Sequence, residues 1–171
     1  MKSSDFLWTL SGGSGNTSPA ASLGGAKSST VMADNALQNV FVNVTSGERA
    51  SGSTKYRCLY IENTSTEKLE AAVLFVATNT PSPGTHISIG IDPAGINGTA
   101  VTIPDEDTAP AGVMFDHSPP PTSIGTGLVL DSPSELESGD FVAVWLRRVV
   151  NPGTAALAND TCQVTLYGDP V

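Results

Sequence analysis

The feature that most constrains this chain is its punctuation. Short runs of β-branched and aromatic residues alternate with clusters of glycine, proline, serine and asparagine, and no segment beyond residue 40 carries a convincing helical stripe. From residue 39 onward the runs are 39–44 (NVFVNV), 55–62 (KYRCLYIE), 69–77 (LEAAVLFVA), 86–91 (HISIGI), 99–103 (TAVTI), 112–116 (GVMFD), 126–131 (TGLVLD), 140–150 (DFVAVWLRRVV) and 161–168 (TCQVTLYG). Turn chemistry separates them: Ser-Gly at 46–47 and 51–52, Asn79 to Gly84, Pro93 to Gly98, Pro119-Pro120-Pro121, and Asn151-Pro152-Gly153. With 17 glycines and 12 prolines in 171 residues, long elements are excluded.

Several runs alternate. Val40, Val42 and Val44 share one face; Cys162, Val164 and Leu166 share another, opposite Gln163, Thr165 and Tyr167. Period two with one apolar face predicts half-buried antiparallel strands. Many such strands predict an all-β, antiparallel two-sheet sandwich, jelly-roll-like, over residues 39–171. Ser132-Pro133-Ser134-Glu135 is the one place expected to make a single helical turn, with proline at its first position. The run 140–150 is apolar on both faces, which predicts a central strand or one at a subunit contact. Its adjacent Arg147 and Arg148 must point to opposite sides, and one is expected to meet a carboxylate partly out of water.

Residues 1–38 read differently. The apolar piece 5–10 (DFLWTL), with its tip Phe6-Leu7-Trp8, reads as a short strand and is followed by a stretch, 11–38, with five glycines, six serines and five alanines. Such a stretch cannot bury enough surface to fold alone. It is expected to be an extended N-terminal arm, either a flexible linker or a segment that orders on a neighbouring subunit. Phe6, Leu7, Trp8, Arg147 and Arg148 are the expected assembly contacts.

Charge limits the partners. The net charge is −9, and all of the excess lies beyond residue 85, where two basic residues face eleven acidic ones. A chain without a basic face is not expected to bind nucleic acid. No run of about 18 apolar residues is present, so no membrane partner is expected. The apolar N-terminal piece is too short for a signal peptide, which predicts synthesis in a cytoplasm. Cys58 and Cys162 belong to no CxxC pair, so zinc is not expected. They read as two small buried residues, with a strand-pinning disulfide as the alternative.

The search for chemistry is short. The histidines are His86 and His117. Gly13-Ser14-Gly15 is followed by Asn16, so the nucleophile elbow G-x-S-x-G is not met. Asp105-Glu106-Asp107, between Pro104 and Thr108, is the tight acidic cluster and a weak candidate for a hard cation, without EF-hand spacing. The sequons at Asn16, Asn43, Asn63, Asn97 and Asn159 are expected by chance in so Ser/Thr-rich a chain. No catalytic residue and no cofactor are expected. A carbohydrate- or cell-surface-binding module would want aromatic loops, yet 79–85, 92–98, 104–111 and 117–125 contain no Trp, Tyr or Phe.

Three stretches carry a resemblance: Leu10-Ser11-Gly12-Gly13 with Pro19-Ala20-Ala21-Ser22-Leu23-Gly24-Gly25; Tyr56-Arg57-Cys58-Leu59-Tyr60-Ile61-Glu62-Asn63; and Ala143-Val144-Trp145-Leu146-Arg147-Arg148. From about residue 7 to residue 169, the chain resembles small virion structural proteins of tailed bacteriophages. The motifs are structural, and no catalytic residue carries over. The resemblance implies a virion component made in the host cytoplasm. The expected role is a capsid decoration or cement protein, a homotrimer or other symmetric oligomer that contacts the major capsid protein or other virion proteins. A neck, tail or fibre-base position is the alternative.

Overall fold

Trp145, wholly buried in the middle of the longest apolar run, marks the centre of the larger of two antiparallel sheets. The computed structural model describes residues 5–34, 36–130, 134–153 and 160–171. Among them the strands are β1 (Phe6–Ser11), β2 (Lys27–Val31), β3 (Ser53–Asn63), β4 (Leu69–Thr78), β5 (Thr85–Ile96), β6 (Leu128–Val129), β7 (Glu135–Leu136), β8 (Phe141–Val150) and β9 (Gln163–Pro170). The larger sheet runs β2-β1-β3-β8-β5. In the smaller sheet β4 is central, with β9 along one side and the two-residue strands β6 and β7 along the other.

The two sheets face each other across one core. Leu10, Leu59, Ile61, Ile87, Ile89, Val142, Val144 and Leu146 from the larger sheet meet Leu69, Ala72, Leu74, Val76 and Leu136 from the smaller. Alternation aims these residues at one face and thereby sandwiches the sheets. The protein is thus an all-β, two-sheet antiparallel sandwich.

β8 is the central strand that its two-sided apolarity predicted, paired with β3 on one side and β5 on the other. Its second face is covered without a third sheet. Tyr56, Cys58, Tyr60, Ala143 and Trp145 pack under Ala100, Ile103 and Phe115, which come from the long connection between β5 and β6. Polar side chains fasten that cover. Asp92 accepts from Trp145 Nε1 at 2.8 Å and from the backbone N–H of Val101 at 3.0 Å. Tyr60 donates its hydroxyl to Gly25 O at 2.6 Å and accepts from Ala100 N at 2.8 Å. Gly90 lets the cover close in, since a Cβ there would stand 2.5 Å from Met114 O.

Three expectations need correction, and a fourth falls partly outside the described residues. Residues 1–38 were expected to stand off as an arm, but β1 pairs with β3 from Phe6↔Asn63 to Leu10↔Leu59, and β2 pairs with β1. The glycine-rich stretch lacks a core of its own and borrows this one. Leu10 is buried, and Gly24, at φ +88°, passes so close to Val101 that a Cβ would lie 1.7 Å from its carbonyl oxygen. Residues 39–44 form no strand: adjacent Val40 and Phe41 both pack on the core, which period-two alternation forbids. The runs 99–103 and 112–116 are irregular cover segments, with one bridge, Gly25↔Ala100. Ser132 and Pro133 of the expected helical turn lie outside the described residues, while Ser134 donates its hydroxyl to Ala72 O and Glu135 opens β7.

One helix was missed. α1 (Ser46–Ser51) is fixed by a capping box: Thr45 Oγ1 accepts from Glu48 N at 3.2 Å, and Glu48 Oε2 accepts from Thr45 N at 2.7 Å. The signal, Thr-x-x-Glu, stands in the sequence at 45–48.

Candidate functional site

The expected assembly contacts fall into two groups. Phe6 and Trp8 are half-buried and pack against the inter-sheet core of their own chain, whereas Leu7 lies on the opposite face of β1. Arg147 and Arg148 do point to opposite sides. Arg147 grips Asp116 with both terminal nitrogens, at 3.1 and 2.5 Å, and lies over the Phe115 ring at 5.1 Å. The Asp116 carboxyl is held below its usual range by that guanidinium. Asp116 itself is open to water, so this is the rim pair. Arg148 is the buried one. It donates to Val42 O at 2.6 Å and to Glu48 Oε1 at 3.2 Å.

Around Arg148 the larger sheet holds a compact charge cluster. Lys55 sits opposite Arg148 in the β3–β8 register, and Arg57 lies two residues along on the same face. Lys55 Nζ reaches Glu106 at 2.5 Å and Glu48 at 3.1 Å, and Arg57 pairs with Glu106. The Phe41 ring stands against both guanidinium groups, 5.7 Å from Arg57 and 4.9 Å from Arg148. Among the described residues neither Nε has a hydrogen-bond acceptor, so the aromatic face serves these cations where oxygen does not. Burial alone would raise the Glu48 carboxyl, but hydrogen bonds from Thr45 and Lys55 outweigh it and bring it down to about 2. Glu106 is lowered in the same way: burial opposes ionisation, and Lys55 and Arg57 overcome it. Burial also pulls the Arg148 guanidinium below its usual value, against the attraction of Glu48.

This cluster decides the acidic loop. Glu106 turns inward to Lys55 and Arg57. Asp105 Oδ1 accepts from Asp107 N at 3.1 Å and Thr108 Oγ1 at 2.7 Å, closing its own turn. Asp105, Glu106 and Asp107 therefore do not converge on a point, and among the described residues no group of three or more His, Cys, Asp or Glu could hold a metal ion. Among the same residues no helix is long and apolar enough to cross a membrane.

The remaining singled-out residues serve the fold. Cys58 and Cys162 are both free; Cys58 belongs to the covered outer face of the larger sheet and Cys162 packs on the inter-sheet core, so a layer separates them. Burial raises both thiols, Cys162 to about 11. His86 is exposed on β5 opposite Val149, and His117 Nε2 lies 2.9 Å from Met114 O. Asn63 is fully buried, its amide donating to Glu67 O and Leu136 O; the amides of Asn16 and Asn97 are likewise engaged, by Ser11 O and by Asp140. Asn159 lies outside the described residues.

What the molecule presents outward is a row that the sequence reading did not single out. Val129, Val73 and Tyr167 stand side by side across β6, β4 and β9 on the outer face of the smaller sheet. Val129 is 55% exposed and Tyr167 42%. Tyr167 was legible as the outward residue of an alternating strand, but only the register brings it beside Val73 and Val129. In comparisons with protein-family models, curated proteins and solved structures, the chain matches none.

Proposed function

We propose that the protein is a structural component of a tailed-bacteriophage virion, a capsid decoration or cement protein that strengthens the shell by repeated contacts with the major capsid protein. The resemblance of 10–13 with 19–25, 56–63 and 143–148 to small virion proteins supports this reading. The observation that carries it is the apolar row Val129–Val73–Tyr167 on the outer face of the smaller sheet. A contact surface used in many copies needs only modest affinity per copy, because simultaneous engagement multiplies it. The acidic excess keeps such a surface away from DNA.

The test is quantification in purified particles. A copy number tracking that of the shell subunits supports decoration, and one matching a single ring moves the protein to the neck, tail or fibre base. A particle without the protein rejects the virion role. Val129→Lys is expected to fold normally and to be lost from particles.

A further inference from the structure

The smaller sheet carries its charge in one line. Its strands β4, β6, β7 and β9 contain three charged side chains, Glu70, Glu135 and Asp169, and all three are carboxylates. The register aligns them: Glu70 lies opposite Glu135 on one side and opposite Asp169 on the other. All three face outward, because Leu69 and Leu136 beside them point into the core and Asp169 shares the parity of Tyr167.

This acidic row runs beside the apolar row Val129–Val73–Tyr167, and a bulge puts the two on one face. Residues three apart on a regular strand face opposite ways, yet Glu70 and Val73 both face outward. The step from Glu70 to Val73 on β4 matches the shorter step from Asp169 to Tyr167 on β9, and the extra residue is Ala71, at φ +50°.

Like charges directly opposite one another destabilise a sheet. The fold relieves this row only in part. Lys68, just before β4, sets its Nζ 2.6 Å from Glu70 and 3.5 Å from Glu135. Among the described residues no ion pair or hydrogen bond reaches the Asp169 carboxylate. The other described basic residues lie elsewhere: Lys27, Lys55, Arg57, Arg147 and Arg148 on the larger sheet and Arg49 on α1. The row therefore holds more negative charge than its own surroundings balance.

We propose that the outer face of the smaller sheet docks a protein surface whose apolar ridge is flanked by lysine or arginine side chains, the ridge on Val129, Val73 and Tyr167 and the cations on Glu70, Glu135 and Asp169. Charge complementarity selects this occupant. Nucleic acid and anionic membrane are repelled by the row, and the same face of a second copy would set carboxylate against carboxylate. Among the described residues no group of three or more His, Cys, Asp or Glu could hold a metal ion, so the complement is an organic cation. A guanidinium takes a carboxylate through two hydrogen bonds, and an apolar contact beside the pair excludes the water that weakens it. Docking here rests on the virion reading, to which it adds the chemistry of the partner's surface.

Three strands span roughly 10 Å, about two turns of a helix. The probe is therefore an amphipathic helical peptide with a leucine stripe flanked by lysines, titrated into the isotopically labelled full chain and followed by NMR. Shifts are expected at Glu70, Val73, Val129, Glu135, Tyr167 and Asp169, with binding weakened by salt. A peptide with glutamate in place of lysine, and one with alanine in place of leucine, are each expected to bind about tenfold more weakly. Glu70→Lys with Asp169→Lys is expected to reverse the preference between the lysine and glutamate peptides. A lysine–leucine peptide that does not bind, that shifts another face, or that binds no better than either control overturns the proposal. If the double variant does not fold, the three peptides on the wild-type chain decide. Particles keep the two readings apart. A chain absent from particles that still selects the lysine–leucine peptide rejects the virion role and keeps the docking chemistry; a particle-bound chain that ignores the peptide does the reverse.

Discussion

Trp145 donates its indole N–H to the carboxylate of Asp92 at 2.8 Å, and neither residue is more than 2% exposed. The bond joins the central strand to the β5 carboxylate that also holds Val101 N and Ala94 N, so one side chain fastens the cover of the outer face. Asp92→Ala leaves three donors short of an acceptor in a dry place. The expected loss is about 3 kcal/mol, more than for Trp145 hydrogen bonding alone, because each stranded donor keeps its desolvation cost. Urea unfolding followed by Trp fluorescence measures it. An Asp92→Ala variant as stable as wild type means that the cover is held by apolar packing only.

The charge cluster predicts an acid limit. Glu48 titrates at about 2 in the folded chain against an ordinary 4.5, so it stabilises the fold fully above about 4.5. That contribution is lost as pH falls towards 2. Glu106, also lowered, acts in the same direction. Glu48→Gln is expected to be less stable at neutral pH and to show a flatter fall in acid. Melting temperatures across that interval, wild type against variant, check the sign. On the alkaline side Lys55, raised by Glu106 and Glu48 against the opposing effect of burial, adds stability that disappears above its ordinary 10.5.

Phe41 holds the irregular segment 39–45 to the sheet. Its ring faces two guanidinium groups, and the neighbouring Val42 carbonyl accepts from Arg148. Phe41→Ala is expected to cost about 2–4 kcal/mol, from lost burial and lost cation–π attraction. It should also expose 39–45 to limited proteolysis. Phe41→Leu separates the two contributions, since it restores most apolar volume without a π face. If Leu and Phe behave alike, the aromatic face contributes nothing beyond its bulk.

Deletion of residues 1–25 tests the revised domain boundary. A free arm predicts that the remainder folds. β1, between β2 and β3 with Leu10 in the core, predicts that it does not. Leu10→Ala alone is expected to cost about 2–5 kcal/mol. Circular dichroism and amide exchange of the truncated chain give the answer. A cooperative melt at the wild-type temperature contradicts the sheet position of β1.

Local pattern made several of these elements legible. Alternation marks β9, and apolarity on both faces marks β8 as central. Adjacent arginines on a strand must part, and they do. The capping box at Thr45 and Glu48 was equally local, though hidden behind an apparent Ser-Gly turn.

Other assignments failed where one local signal served two ends. The alternating 39–44 looks like a strand, but a strand needs a ladder partner, and the buried cations of Arg57 and Arg148 offered Phe41 a better one. The small-residue stretch 11–38 looks like a tether because it has no core of its own, yet its glycines allow the close approach that lets it share another. The acidic loop looks like a cation site until Lys55 and Arg57, some 50 residues earlier, are seen to claim Glu106.

The sequence by itself determined the all-β class and the inward set of an alternating strand such as β9, because the side-chain period of an extended chain is a local property. Which segments pair and which carboxylate meets which cation were decided only by the tertiary structure. Those are relations between residues far apart in the chain, and no local period encodes them. The row Val129–Val73–Tyr167 is of that kind.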